Sequence, residues 1–529
     1  MKEQSTTQST IATFIVMSST FVSRILGFLR TAVITAIFGA TGKADIINVT
    51  FAVPNNLRKL LAEGALSSAF IPVLSEAIVE EGAQPSRSRQ LVRHLIGFQL
   101  LIIIPLCVAS IIFAGPLIEF VLTQFKDAEQ LALSTKLFRF FINYLLFISV
   151  SAVLIGVLNS HSRFFVPAIT PIIFSIAVIS SILVFHRSIG VYSMAVGVII
   201  GGAGQVAFQY PLFRRMGYTI FPAFNFLRNP DFIRILKQWA PVVATSSVFT
   251  VNQQVAFIFA SGLETGSASA LSYALVFWQL PFGIFSTSIT TVLFPKMSRQ
   301  VSQKDIEGLR QSVQYGVRFL LALLIPSALV MGLLGKEIIS IAIQRGMFRT
   351  EDTVLTAFVL TGFCYGLFSV GAFNFLQRYF YSSKQYAFPF YVALGVLIID
   401  VTLSLILKET FLRVAGLSIA NSISFSLGLI VLFIYAYRQL KGIPLRFLAL
   451  TALKVCTASV PVVVAILEMQ KLFGPYWQRG SSFLGLGYLL IEVAVIVVLY
   501  LLLYRILKVE MVNYLFARIK RKAKREQNE

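Results

Sequence analysis

The sequence predicts an all-α integral membrane protein with about 14 transmembrane helices: two parallel six-helix lobes around a central cavity, plus two C-terminal helices. Of its 529 residues, 57% are apolar and 13% are charged, whereas soluble domains average roughly 45–50% and 25%. The apolar residues form long continuous runs, and a helix needs about 20 such residues to cross a bilayer. Strands of a membrane barrel are shorter and alternate with a period of two, so helices are expected.

Six runs precede residue 212 and eight follow it. The runs lie near 10–37, 44–77, 95–122, 134–158, 165–185, 189–211, 238–262, 267–295, 313–334, 354–380, 386–407, 412–437, 447–471 and 482–507. The first run lacks a strongly basic flank and a small-residue cleavage site, so it is predicted to be a retained helix and not a signal peptide.

An internal repeat organises these helices. Pro72, Pro105 and Pro167 recur as Pro295, Pro326 and Pro389, at offsets of 223, 221 and 222 residues. Because the offset spans an even number of helices, the two halves have the same orientation in the membrane. We therefore expect an N-lobe over 1–211, an amphipathic cytoplasmic linker over 212–237, a C-lobe over 238–437, and an appendage with a basic tail over 438–529.

The net charge of +22 is distributed unevenly. When residues at span ends are counted with the nearest loop, 28 Lys and Arg residues lie on the side of the termini and 12 on the other side. The positive-inside rule then predicts that both termini are cytoplasmic. The basic C-terminal run fits anionic lipid headgroups, and no nucleic-acid-binding motif accompanies it.

The loops argue against an enzyme. They are short and basic, without paired carboxylates at a catalytic spacing, which makes a membrane-embedded glycosyltransferase or phosphotransferase improbable. The three cysteines are widely separated within apolar runs, so we expect neither disulfides nor a metal site. No resident cofactor is predicted.

Arg24, Arg30, Arg58 and Lys59 lie inside predicted spans of the first lobe. A cation inside the bilayer costs roughly 3 kcal/mol or more, so such residues indicate a functional site. Guanidinium groups bind phosphate oxygens in bidentate fashion and remain charged when desolvated. An anionic ligand with a diphosphate headgroup fits them well.

Two structural alternatives stay open for these charges. Pro54 is expected to break or kink the second segment, which leaves a helix from Asn55 on which Lys59 and Glu63 form an i,i+4 ion pair. Arg30 and Asp45 are also candidates for structural pairing near the outer end. Arg24 and Arg58 are then the better candidates for facing a cavity.

The segments "SRILGFLRTAVITAIFGATGKAD" (23–45) and "PNNLRKLLAEGALSSAFIP" (54–72) resemble the signature of the MurJ/MviN lipid II flippases, within the multidrug/oligosaccharidyl-lipid/polysaccharide exporter superfamily. The resemblance implies transport of the undecaprenyl-diphosphate-linked peptidoglycan precursor, lipid II, from the inner to the outer leaflet of a bacterial cytoplasmic membrane by alternating access. It also implies a role in cell-wall biogenesis and cell shape. The family's functional cations fall on Arg24, Arg30 and Arg58, and its acidic positions fall on Asp45 and Glu63.

The sequence departs from the family at one position. The family commonly has an arginine in the eighth helix after a Tyr-Ala pair, whereas "SYALVFWQLP" places Val276 there. Three explanations remain: the other arginines suffice, neutral donors from Gln253, Gln254 or Gln279 replace it, or the substrate differs.

A further candidate site lies in the second lobe. Some family members bind sodium there, and the matching positions are Asp400, Ser404 and Asn421. Asp400 is a lone carboxylate in an apolar run, which favours binding of Na⁺ or H⁺, although a hydrogen bond to a neighbouring helix explains it equally well. The cycle is therefore expected to depend on an ion gradient or the membrane potential.

Two other transporters remain as alternatives: a flippase for another polyprenyl-diphosphate-linked oligosaccharide, and a drug or cation antiporter on the same scaffold. An antiporter of this kind needs a mainly apolar and acidic cavity, and the basic residues of the first lobe argue against it.

Overall fold

A computed structural model describes residues 19, 22–61, 65–81 and 86–509, and these residues form helices connected by short loops. In chain order, the helices of nine or more residues are α1 (22–38), α2 (Gly42–Leu61), α3 (Ala65–Glu81), α4 (Ser86–Ile112), α5 (Ala128–Ile142), α6 (Tyr144–Ser160), α7 (Phe165–Ile189), α8 (Tyr192–Arg215), α9 (Pro230–Ser261), α10 (Ser267–Pro281), α11 (Thr287–Ser302), α12 (Ile306–Leu333), α13 (Gly335–Ile343), α14 (Thr350–Tyr365), α15 (Leu367–Ser382), α16 (Ala387–Leu407), α17 (Val414–Gln439), α18 (Leu445–Phe473) and α19 (Phe483–Ile506). The predicted all-helical class is confirmed.

Within the described ranges, 11 helical segments are long and apolar enough to cross a membrane, or up to 12 if the bent pair α14–α15 is one span. They coincide with the third to fourteenth predicted spans. The count of 14 is not confirmed, because the first predicted span lies partly outside the described residues. In the second, 44–77, the described residues are helical in α2 and α3, and residues 62–64 lie outside the described ranges.

Local sequence signals explain several helix starts. The Asn229 side chain accepts hydrogen bonds from the backbone N–H groups of Asp231 and Phe232, and Pro230 occupies the first turn of α9. Asp305 accepts from Gly308 N at the start of α12. These side chains satisfy backbone donors that have no partner within the helix.

The contacts divide the chain into two compact units, residues 1–269 and 270–529. In the first unit, α9 packs against α2 and α3, and α7 packs closely against α8. A Cβ added at Gly197 on α8 would lie 2.8 Å from Val178 Cα on α7. Only glycine permits this approach of two backbones, a common arrangement between membrane helices.

The segment between α8 and α9 lies along the start of α4 in the first unit. Ala223 N donates to Arg93 O at 3.0 Å, and His94 Nε2 lies 2.8 Å from Asn225 Oδ1. Asp231 receives a bidentate contact from Arg87, at 2.6 and 2.7 Å. The segment 216–229 is therefore held by specific polar contacts.

In the second unit, α16 packs on α17 and the pair α18–α19 packs on α12 and α13. A buried apolar cluster joins the last two helices to α12, and it includes Ala322, Val455, Val462, Ile496 and Tyr500. The appended helices are thus an integral part of the second unit.

Candidate functional site

The candidate basic site lies on α1 and α2 of the first unit. Helix α2 continues through Pro54 from Gly42 to Leu61, so the expectation that the helix begins at Asn55 is wrong. A proline interior to a helix removes one backbone hydrogen bond without always ending the helix. Arg58 and Lys59 consequently belong to the last turn of the helix that carries Asp45 in its first turn.

Arg58 and Lys59 are positioned by two asparagines one turn earlier. Arg58 donates from Nε and from a terminal nitrogen to Asn55 Oδ1, at 3.2 and 3.1 Å. Lys59 Nζ donates to Asn56 Oδ1 at 3.3 Å and to Gln253 Oε1 on α9 at 2.9 Å. These neutral amide oxygens hold the two cations in place at the end of α2.

A second contact strengthens the link between α2 and α9. Asn56 Nδ2 donates to Gln254 Oε1 at 3.0 Å, while the buried Gln254 Nε2 has no hydrogen-bond acceptor among the described residues. Gln253 and Gln254 had been expected only as substitutes for a missing arginine. In the structure, the side-chain oxygens of both glutamines accept hydrogen bonds from α2. The amide N–H group of Gln254 stays available as a donor.

Arg30 is partly buried, and its guanidinium carbon lies 5.3 Å from the centre of the Phe174 ring on α7. Its charge interacts with that of Arg58 and with Tyr144. Arg30 forms no ion pair with a carboxylate in the described part of the chain. Arg30 and Arg58 are therefore close enough for their charges to interact, whereas Arg24 is exposed six residues earlier on α1.

Asp45 is buried and binds the chain around the start of α10. Its carboxylate accepts hydrogen bonds from Gly266 N at 2.6 Å, Ser269 N at 2.8 Å and Ser269 Oγ at 2.7 Å. Asn48, one turn later on α2, donates to Ser269 Oγ at 3.3 Å. A carboxylate at the N-terminus of a helix is stabilised by the free N–H groups and the helix dipole. Glu63, the other predicted acidic position, lies outside the described residues.

Asp400, Ser404 and Asn421 come together in the second unit. Asp400 is 5% exposed on α16. It accepts from Ser404 Oγ at 3.3 Å and from Asn421 Nδ2 on α17 at 2.9 Å. A cation here would meet the Asp400 and Ser404 oxygens, and Asn421 would supply an oxygen after rotation of its amide. Hard cations require several oxygen ligands, and these three residues supply part of such a set.

Val276 and Gln279 both lie on α10 of the second unit. Val276 is partly buried, and Gln279 is exposed. The site residues that sequence reasoning missed are Asn55, Asn56 and Asn48, whose amides orient the cations and Ser269. Their positions one helical turn from Arg58, Lys59 and Asp45 are the signal that was available.

A family model described as lipid II flippase MurJ matches residues 34–488. The chain is 33% identical to a probable lipid II flippase MurJ of Borreliella burgdorferi over 513 residues, which cover 97% of this chain and 99% of the relative. It is 31% identical to the probable lipid II flippase MurJ of Rickettsia prowazekii over 476 residues, or 88% and 92% of the two chains.

The fold is also similar to the folds of solved transporter structures. A lipid II flippase MurJ in an inward closed conformation superposes with a TM-score of 0.74 at 26% identity, over 93% of this chain and 99% of that chain. An inward-facing multidrug resistance MATE transporter of the MOP superfamily superposes with a TM-score of 0.63 at 15% identity, over 81% and 98% of the chains. The second likeness concerns the fold alone.

Proposed function

The chain belongs to the family of lipid II flippases MurJ, and on that premise we propose that it moves lipid II from the inner to the outer leaflet of a bacterial cytoplasmic membrane. The proposed mechanism is alternating access by the two parallel repeats, 1–211 and 238–437, without covalent chemistry on the substrate. The activity supplies peptidoglycan synthesis and thereby supports cell-wall growth and cell shape.

This proposal depends on the position of Arg58 and Lys59 in the last turn of α2 and on the partly buried Arg30 of α1, whose charge interacts with that of Arg58. Two guanidinium groups near one another inside a predicted membrane slab repel, and the repulsion is strong where the dielectric constant is low. An anion bound between them removes this repulsion. A diphosphate carries enough charge and oxygen acceptors for both groups, and bidentate geometry favours phosphate over a halide ion.

Lys59 and Gln254 extend the same surface with further donors. Lys59 is held by two amide oxygens, and Gln254 Nε2 lacks an acceptor among the described residues. Arg24, exposed on α1, serves in our proposal as an entry contact for the headgroup.

A flipping assay in proteoliposomes with lipid II tests this assignment. We expect Arg30→Ala and Arg58→Ala each to reduce transport at least tenfold. Arg187→Ala, at an exposed position near the end of α7, is the matched control and should transport normally. Normal transport by both site variants would reject the site, and failure to rescue a bacterium depleted of its own lipid II flippase would reject the function.

We further propose that Asp400, Ser404 and Asn421 bind the coupling ion, with Na⁺ as the first candidate and H⁺ as the second. A buried carboxylate between α16 and α17 changes its hydrogen bonds when it gains a cation, which gives these helices two arrangements. The membrane potential contributes roughly 2.3 kcal/mol per charge per 100 mV. Transport measured with and without a Na⁺ gradient distinguishes the ions.

Both termini are cytoplasmic in this proposal, and the segment 216–229 lies at the cytoplasmic interface. The exposed Phe221, Phe224 and Leu227 side chains support this placement, since aromatic and aliphatic groups next to basic residues favour the headgroup boundary. Cysteine labelling from either side of the membrane tests it.

A further inference from the structure

Two glutamates outside the sites described above are buried in the second unit. Glu337 lies on the short helix α13 and is 4% exposed, and Glu492 lies in the middle of α19 and is 0% exposed. They are 155 residues apart in the chain. The packing of α19 and the 476–479 turn on α13 brings them into the same region.

Each carboxyl group has one satisfied oxygen and one unsatisfied oxygen. Gln470 Nε2 donates to Glu337 Oε1 at 2.8 Å, and the Tyr476 hydroxyl donates to Glu492 Oε2 at 2.8 Å. Glu337 Oε2 and Glu492 Oε1 are buried and have no hydrogen-bond partner among the described residues. A polar atom left without a partner in this way is destabilising, and a charged one more so.

The charged groups around the pair do not neutralise it. Neither glutamate forms a salt bridge within the described ranges. Lys336, the neighbour of Glu337, places its ammonium 5.4 Å from the centre of the Trp477 ring. Other titratable groups on the surrounding elements include Glu351 and Asp352 on α14, Glu468 and Lys471 on α18, Tyr476 and Arg479 in the connecting turn, and Tyr488 on α19. Glu468 and Lys471 pair with one another at 2.7 Å.

The electrostatics of the region disfavour two negative charges. The Glu337 and Glu492 charges repel one another. Burial raises the pKa of Glu337 above its ordinary value, and the hydrogen bond from Gln470 and the charge of Lys336 offset this only in part. Burial also raises the pKa of Tyr476, as do its hydrogen bond to Glu492 and the charges of both glutamates. When carboxylates share a low-dielectric site, one of them keeps its proton.

We propose that Glu337 and Glu492 form a proton-binding site that holds one proton at neutral pH and fastens the α18–α19 pair to α13. The proton is taken from water as hydronium and forms an O–H bond on one carboxyl group, so the site carries one negative charge instead of two. The protonated oxygen becomes a donor, and the buried site carries less charge to desolvate.

A cavity gives this site a route for proton exchange. The cavity has a volume of about 900 Å³ and is lined by Glu337, Gln470, Lys336, Glu351, Thr361 and Trp477, among others. It is bounded by α13, α14, α18 and the turn that follows α18. The site is separate from Asp400, which lies between α16 and α17, so it is distinct from the site proposed for the coupling ion.

The proposal predicts the direction of the pH dependence. A carboxyl group whose pKa is raised by folding contributes its full stability below the pKa of the unfolded chain, and this stability is lost as the pH rises through the pKa of the folded state. The attachment of α18–α19 should therefore weaken as the medium becomes alkaline. Glutamine resembles a protonated glutamate and should remove this dependence.

Infrared difference spectroscopy of the full-length protein between acidic and alkaline buffer tests the proton directly. We expect the carbonyl band of a neutral, buried carboxylic acid to persist at neutral pH in the wild type and to disappear in the double variant Glu337→Gln/Glu492→Gln. Glu468→Gln, an exposed position on α18, should retain the band. Absence of the band from the wild type at neutral pH would overturn the proposal.

Thermal unfolding in detergent gives a second test that does not depend on assigning a band. The melting temperature of the wild type should fall from about pH 5 to about pH 9 more steeply than that of either single glutamine variant. Glu468→Gln should follow the wild type. Two results would refute a proton site. One is a glutamine variant that is destabilised equally at every pH, and the other is a wild-type melting temperature that rises with Na⁺ concentration but not with proton concentration.

Discussion

Replacing Asp45 by alanine should destabilise the protein more than replacing an ordinary helix cap. The change removes three hydrogen bonds, to Gly266 N, Ser269 N and Ser269 Oγ. It leaves two buried backbone donors without their acceptor at roughly 1–3 kcal/mol each, and it removes a charge that interacts with a helix dipole. We expect a loss of about 3–5 kcal/mol.

The assay is thermal unfolding of the purified protein in detergent, with two further variants that isolate the cause. Asp305→Ala removes a single exposed N-cap contact, to Gly308 N at 2.8 Å, and should cost only about 1 kcal/mol. In a double-mutant cycle, Ser269→Ala should cost much less in the Asp45→Ala background than alone. Equal losses for Asp45→Ala and Asp305→Ala, or strict additivity in the cycle, would refute this reasoning.

Three further predictions concern single positions. Arg58→Lys keeps the charge but loses the planar fork held by Asn55, so lipid II transport should fall while Tm changes little; transport equal to wild type would show that charge alone suffices. Asp400→Asn should abolish the effect of a Na⁺ gradient on transport in proteoliposomes, and an unchanged effect would remove the ion from this site. Gly197→Leu should lower stability by roughly 1–3 kcal/mol or more, because its Cβ alone would lie 2.8 Å from Val178 Cα; an unaltered Tm would contradict the close backbone approach.

Hydropathy predicted the helical class and most of the candidate spans because the membrane imposes a local rule. Each spanning segment must satisfy its own backbone hydrogen bonds and present apolar side chains over about 20 residues. That requirement is visible in any single window of sequence. The second predicted span shows this pattern less clearly, since Arg58 and Lys59 interrupt its apolar run.

The cations of the first unit were predictable as residue types, whereas their partners were not. Lone charges in apolar runs marked Arg30, Arg58 and Asp400 without any structure. The same signal exists at Glu492 in "LLIEVAVIVV", but nothing near it in sequence indicates Glu337.

The sequence alone determined that this chain is helical, membrane-embedded, internally repeated and basic within its first lobe, because these properties depend on composition and spacing. Tertiary structure alone decided that Lys59 contacts Gln253, that Asp45 caps the start of α10, and that Glu337 and Glu492 share one region. These contacts join residues more than 150 positions apart. Their strength depends on burial and orientation in a low-dielectric interior, which only the packing of helices establishes.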